Sequence, residues 1–366
     1  NVGFLEIPQR DYLLKSAKDR ADQVRKSQSK VILIGIGGSS LGPQLLKDCF
    51  DSYNQVYILD NLDPHLLESC LSWAGNLENV HVVLISKSGK TLETLVLGEH
   101  VISTLRKSGL KLSHHVTVIT ENQSQDLYNF AKANDIPRLE LPQDVGGRYS
   151  VLTPVGTFLL SFLGQDLEPF REGMQLAKDS KAMAEELISL SLAAFEKKCF
   201  VTSFWNYSSR LRFFGSWLQQ LWCESIGKPG VQVSTLVPLV GAIDQHSVLQ
   251  QLIEGELSFW SCMIYLKAYQ NEGPKFNSQD FPTLQWAHNK SLGTLINAEC
   301  LATYEGLKQS GKCVTLLELQ DLSPKSLSYL IMLSQIWVAG LGLALGINPF
   351  DQPGVELGKR LVKELV

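Results

Sequence analysis

The sequence predicts an α/β fold of two doubly wound parallel sheets, each the centre of a three-layer α/β/α unit, followed by a C-terminal helical segment. Two observations predict it. Short β-branched runs alternate with helix-like stretches, and the runs are apolar throughout, as expected of strands buried on both faces. The alternation also happens twice, separated by a more charged stretch of helical period over 166–198. A chain of 366 residues, 44% hydrophobic and 19% charged, is long enough for two domains with a core each.

In the first half, VILIGI (31–36) reads as a strand stopped by Gly37 and Gly38, and LGPQLLKDCF as a helix. QVYIL (55–59) is the second strand, followed by Asp60 and a helix over 64–73. VHVVLI (80–85) is the third; a helix over 92–108 and the strand HHVTVIT (114–120) follow. In the second half, KCFVTSF (198–204), VQVSTLVPLV (231–240), SFWSCMIYLKAY (258–269) and CVTLLEL (313–319) read as strands, with helices over 206–224 and 244–254. The expected division is a first domain at 1–165, a helical connector at 166–197, a second domain at 198–345 and a C-terminal helix within 346–366.

Composition narrows the function. A net charge of −4 with no long basic run argues against nucleic-acid binding, although a local basic pocket for an anionic metabolite stays open. Seven scattered cysteines with no CxxC pair point to reduced thiols, and so to the cytoplasm, and away from a zinc site. The N-terminal stretch NVGFLEIPQRDYLLK lacks a signal-peptide apolar core. Residues 326–350 carry no charge and are long enough to span a bilayer, but Ser334 and Gln335 interrupt them. They read as a buried core helix, a membrane anchor being the alternative.

Several segments carry reactive groups. VLISKSGKTLET (83–94) breaks from a strand into a turn where Ser86, Ser88 and Thr91 offer hydroxyls and Gly89 lets the backbone come close. The following helix aims its unpaired N–H groups and positive dipole end at the same spot, a suitable seat for a phosphate. It is not a P-loop, because GxxxxGK[ST] is absent. A lone turn of this composition is as often structural, but GIGGSSLGP upstream is a second phosphate-compatible turn. In GGRYS (146–150), Arg148 follows two glycines, either as an exposed guanidinium or as the decoration of a turn. Glu224 sits among Leu221, Trp222, Cys223 and Ile226, either as a base whose pKa apolar neighbours raise or as a helix-surface glutamate. His246, near a helix start, is either a proton shuttle or a structural histidine. Gln352 precedes Pro353, and Lys359 lies on the helix beyond, where a lone lysine is usually solvated. No metal-ligand spacing is present, and GIGGSS is not the dinucleotide fingerprint.

GIGGSSLGP, SKSGKTLET, GGRYSVLTPVG, CESIGK, DQHSVLQ and NPFDQPGVELGK, in this order, resemble the glucose-6-phosphate isomerase (phosphoglucose isomerase) family from about residue 31 to the C-terminus. The resemblance implies two sugar-isomerase (SIS) domains, a homodimer with sites near the subunit interface, and no metal or cofactor. It also implies that Gly38 and Ser39 contact the sugar, that Ser86, Lys87, Ser88 and Thr91 hold the phosphate, and that Gln220 and Gln352 touch substrate. Glu224 would move a proton between the second and first sugar carbons, and Arg148 would stabilise the enediolate. His246, arriving from the neighbouring subunit, and Lys359 would act at the ring oxygen. Lys90 departs from the family by standing where threonine is commoner, and the chain is short for the family. The alternatives are an isomerase that also takes mannose 6-phosphate, a non-catalytic sugar-phosphate sensor, and, third, a dinucleotide-binding dehydrogenase.

Overall fold

The computed structural model describes residues 2–123, 126–355, 361, 362, 364 and 365. In the first half, β1 (Lys30–Ile34), β2 (Val56–Leu59), β3 (Val80–Ile85), β4 (Val116–Thr120) and β5 (Arg138–Glu140) form a parallel sheet in the order β2-β1-β3-β4-β5. In the second, β6 (Val201–Asn206), β7 (Thr235–Val240), β8 (Phe259–Leu266) and β9 (Cys313–Leu319) form a parallel sheet in the order β7-β6-β8-β9. Each sheet adds its second strand on one side of the first and its third on the other. Such a reversal opens a crevice at the carboxyl ends of the two central strands, where α/β sheets bind ligands. The crevices therefore lie at β1/β3 and at β6/β8.

The all-apolar strands follow from two-sided burial. Along β1, Val31 and Leu33 face one core while Ile32 and Ile34 face another. The first of these cores does not stop at the edge of its own unit. It runs through Leu45, Leu46 and Val155 to Trp217, Trp222, Phe204 and Trp260 of the second sheet and its helices. The two sheets are thus joined across one continuous apolar interior, and their outer faces carry separate cores.

The uncharged helix is Pro324–Ala344, and it is inside the protein. Although it is long and apolar enough to cross a membrane, most of its residues are buried among other helices. The Trp337 ring lies 5.2 Å from that of Trp222 and 6.0 Å from that of Trp260. Its polar interruptions find partners, with Gln335 Oε1 the exception among the described residues. Ser334 Oγ donates to the Leu330 carbonyl at 2.8 Å, and Gln335 Nε2 donates to the Tyr149 carbonyl at 3.0 Å. Some boundaries moved relative to expectation. The helix ends at Ala344 rather than reaching 350, and the strand expected from 231 begins at Thr235. The helix expected from 206 begins at Arg212, after a short 3₁₀ turn at Ser209–Leu211.

Candidate active site

The serine-rich turn leaves the carboxyl end of β3 and is shaped by its own side chains. Ser86 is buried, and its Oγ accepts from the Gly89 N–H at 3.1 Å and pairs with Thr91 Oγ1 at 2.7 Å. Thr120 Oγ1 donates to the Ser86 carbonyl at 2.7 Å, fixing the turn to the end of β4. Gly89 has φ +67°, a left-handed conformation that a side chain would strain. Thr91 is the N-cap residue of the Leu92–Lys107 helix, yet its hydroxyl bonds Ser86 and does not cap the helix. The first-turn N–H groups are thereby left for an anion. Ser88 and Lys90 are exposed on the turn, with Ser88 Oγ accepting from the Lys90 N–H at 3.3 Å. Lys87 points elsewhere. Its ammonium meets Glu121 at 3.3 Å and the Gln143 carbonyl at 3.1 Å, off the side of the turn.

The neighbouring turn leaves β1, which pairs with β3, so the two turns lie side by side. A Cβ on Gly38 would sit 2.3 Å from the Gly147 carbonyl oxygen, so only glycine lets GGRYS press against this turn. A Cβ on Gly37 would sit 2.9 Å from Gln220 Nε2, which brings the Arg212–Ile226 helix to the same place. The phosphate-type turn, the Gly38–Ser39 turn, Arg148 and Gln220 therefore form one continuous wall.

At the far end of that wall, Arg148 is buried and every one of its N–H groups has an acceptor. Nε donates to Ser225 Oγ at 2.8 Å. Nη1 donates to Glu224 Oε2 at 3.3 Å and to Gln352 Oε1. Nη2 donates to the carbonyls of Pro349 at 2.6 Å and Asp351 at 3.1 Å. The expectation of an exposed guanidinium is corrected here. At 4% exposure, Arg148 is tolerated only because all five donors are met. Its neighbour Tyr149 pairs with Ser225 Oγ at 3.2 Å, and burial pushes the phenol pKa up.

Glu224 is not isolated among apolar side chains, as the sequence suggested. Its side chain is 28% exposed, and both oxygens are held. Oε1 accepts from Gln220 Nε2 at 3.1 Å, and Oε2 accepts from Arg148. Gln220, one turn earlier on the same helix, reaches it by the i,i+4 spacing. A carboxylate gripped on two sides and partly open to solvent has a fixed orientation.

His246 is exposed on the first turn of the Gln245–Glu254 helix, and no hydrogen bond or ion pair among the described residues joins its ring to Glu224 or Arg148. Gln245 fixes that helix start by donating to Tyr207 Oη at 2.9 Å and Thr303 Oγ1 at 2.8 Å. Lys359 lies outside the described residues. Sequence reasoning gave no role to Ser225, Lys228, Asp351 or Gln335, which orient Arg148 and its surroundings. Ser225, Lys228 and Asp351 lie inside the quoted motifs, so position was visible but bonding was not.

Paired parallel sheets of this kind are the fold of phosphosugar isomerases of the SIS type. Tagatose-6-phosphate ketose/aldose isomerase from Escherichia coli aligns with a TM-score of 0.60 over 94% of this chain and 91% of its own, at 12% identity, a likeness of fold alone. Within that class, the phosphoglucose isomerase family model matches residues 15–253 and 287–366, and the chain belongs to that family. A glucose-6-phosphate isomerase from Thermus thermophilus is 32% identical over 99% of this chain and 89% of its own length. The crystal structure of a glucose-6-phosphate isomerase from Chlamydia trachomatis aligns with a TM-score of 0.83 at 25% identity, over 97% of this chain and 73% of its own.

Proposed function

We propose that the chain interconverts glucose 6-phosphate and fructose 6-phosphate, the sugar lying along the wall between the 86–91 turn and the Arg148–Glu224 pair. Family membership supports aldose–ketose isomerase activity. The observation that carries the assignment of the site is the buried Arg148, which ties a part-exposed carboxylate to Gln352 and ends the wall that begins at the phosphate-type turn.

In this reading Ser86, Ser88, Thr91 and the first N–H groups of the Leu92–Lys107 helix hold the phosphate, and Gly38, Ser39, Gln220 and Gln352 line the sugar. Lys87 serves the phosphate through its positive field, its ammonium being bonded to Glu121 and Gln143. Binding energy gained at the phosphate, remote from the reacting carbons, orients them against Glu224. After ring opening, Glu224 takes the C2 proton, and the electron pair moves onto the carbonyl oxygen to give a cis-enediolate. Arg148 stabilises that charge without giving up a proton. The C2 hydroxyl passes its proton to O1, leaving the charge on O2, and Glu224 returns its proton to C1 as the C2 carbonyl forms. His246 and Lys359 exchange protons with the ring oxygen and hydroxyl during opening and closure, His246 entering from the partner of a homodimer. That arrangement agrees with the separation of its ring from Glu224 within one chain. The domain division at 165, 197 and 345 belongs to this proposal, as does a cytoplasmic setting, supported by seven unpaired cysteines.

The test is a coupled assay of the purified protein with glucose, fructose and mannose 6-phosphates. Turnover of the first two is expected. Binding of all three without turnover would identify a sensor instead.

A further inference from the structure

We propose that Lys228 is a positioning residue for this site: its ammonium latches the 349–352 segment, and through it Gln352 and Arg148, onto the end of the helix that carries Glu224. The inference rests on the functional reading above for its kinetic consequences, but the latch itself is a matter of geometry. Lys228 follows Gly227, the C-cap of the Arg212–Ile226 helix. Carbonyls of a last helical turn lack intrahelical donors, and a cation there meets the negative end of the dipole. Lys228 Nζ donates to the Glu224 carbonyl at 3.0 Å.

On its other side the same ammonium donates to the Asp351 carbonyl and meets Asp351 Oδ1 at 3.0 Å. The Asp351 carbonyl also accepts from Arg148 Nη2, so two cations share one oxygen. The next residue, Gln352, gives its side-chain oxygen to Arg148. Upstream, Phe350 is anchored by packing on Tyr149, with ring centroids 5.6 Å apart. From Asp351 onward, the described residues are bonded to the body of the protein by Arg148 and Lys228 alone. Asn348, which donates to Asp351 Oδ2 at 3.0 Å, immediately precedes the segment in the chain. The Lys228 side chain is only 10% exposed, whereas that of Asp351 is 54% exposed. An ammonium so sheltered, with bonds to two backbone carbonyls, is fixed in place and acts by holding. The hydrogen bond to Lys228 also keeps the Asp351 carboxyl below its usual pKa.

The test combines hydrogen–deuterium exchange with a double-mutant cycle. In Lys228→Met, peptides covering 347–355 should exchange about 10-fold faster or more, with the sheets unchanged, because their tether is local. Turnover should fall about 10-fold or more with KM moved less. The double variant with Gln352→Ala should lose no more than the worse single, because both act through one segment. Lys228→Arg, which keeps a cation with several donors, should restore most of the turnover. Unchanged exchange at 347–355, unchanged turnover, or losses that multiply in the double variant would each overturn the proposal. Should Lys228→Met fail to fold, Asp351→Ala, altered at the exposed end of the latch, carries the same exchange test. A wild-type protein without isomerase activity would strike the functional reading and leave exchange to judge the latch.

Discussion

Replacing Arg148 by lysine keeps the charge and removes the fork, which makes it a sharp perturbation of this site. The guanidinium meets five acceptors: Ser225 Oγ, Glu224 Oε2, Gln352 Oε1 and the carbonyls of Pro349 and Asp351. An ammonium has three donors, so at least two of the five bonds are lost even with ideal placement. At about 1.5–3 kcal/mol for each hydrogen bond to a charged group that is lost, the substitution should cost about 3–6 kcal/mol of stability. That is a large share of the ~5–15 kcal/mol that holds a typical domain folded. The charge at the enediolate would also lose its fixed direction, lowering turnover about 10²-fold or more. Urea unfolding and the coupled isomerase assay on one preparation read both effects. An Arg148→Lys protein with wild-type midpoint and turnover would refute the claim that a fully satisfied fork organises the site.

Three further predictions concern other parts of the molecule. Ser88→Ala removes an exposed hydroxyl of the phosphate-type turn; steady-state kinetics should show KM raised ~10-fold or more with turnover changed by less than about threefold, and the opposite split would mean the turn acts in chemistry. Gly38→Ala places a methyl 2.3 Å from the Gly147 oxygen; thermal denaturation should report a loss of about 1–3 kcal/mol or more, with turnover falling because Arg148 is the next residue. His81 is fully buried against Thr117, and burial holds its pKa well below 6.5, with Arg20 and His115 adding to the effect. The folded state therefore refuses a proton that the unfolded chain accepts as pH falls through 6.5. Stability should drop by about 1 kcal/mol between about pH 7.5 and 5.5 on this account, and that increment should vanish from the pH dependence of urea midpoints in His81→Phe.

The strands of both sheets were legible because two-sided burial forces near-continuous apolar runs, and the two turns because Gly and Ser break those runs. The helix Asp11–Arg25 escaped notice because its apolar residues Leu13, Leu14, Ala17, Ala21 and Val24 are interspersed with charges that serve its outer face. Strand β5 is three residues long, too short for any period to show. At the site, residue types were readable but partners were not. Arg148 after two glycines suggests exposure until the tertiary fold closes Pro349, Asp351 and Gln352 over it from 201–204 residues away. Lys228 had no role assigned from the sequence, because two of its acceptors are backbone carbonyls, which no sequence motif displays.

The central claim is that Glu224 carries the proton between C2 and C1. Glucose 6-phosphate deuterated at C2, incubated with wild-type protein and with Glu224→Gln, tests it directly by the rate at which label leaves C2. The account predicts loss of label by the wild type and a rate at least about 10²-fold lower in the variant, with the phosphate-type turn and Arg148 untouched. Label leaving C2 at the wild-type rate in Glu224→Gln would contradict it.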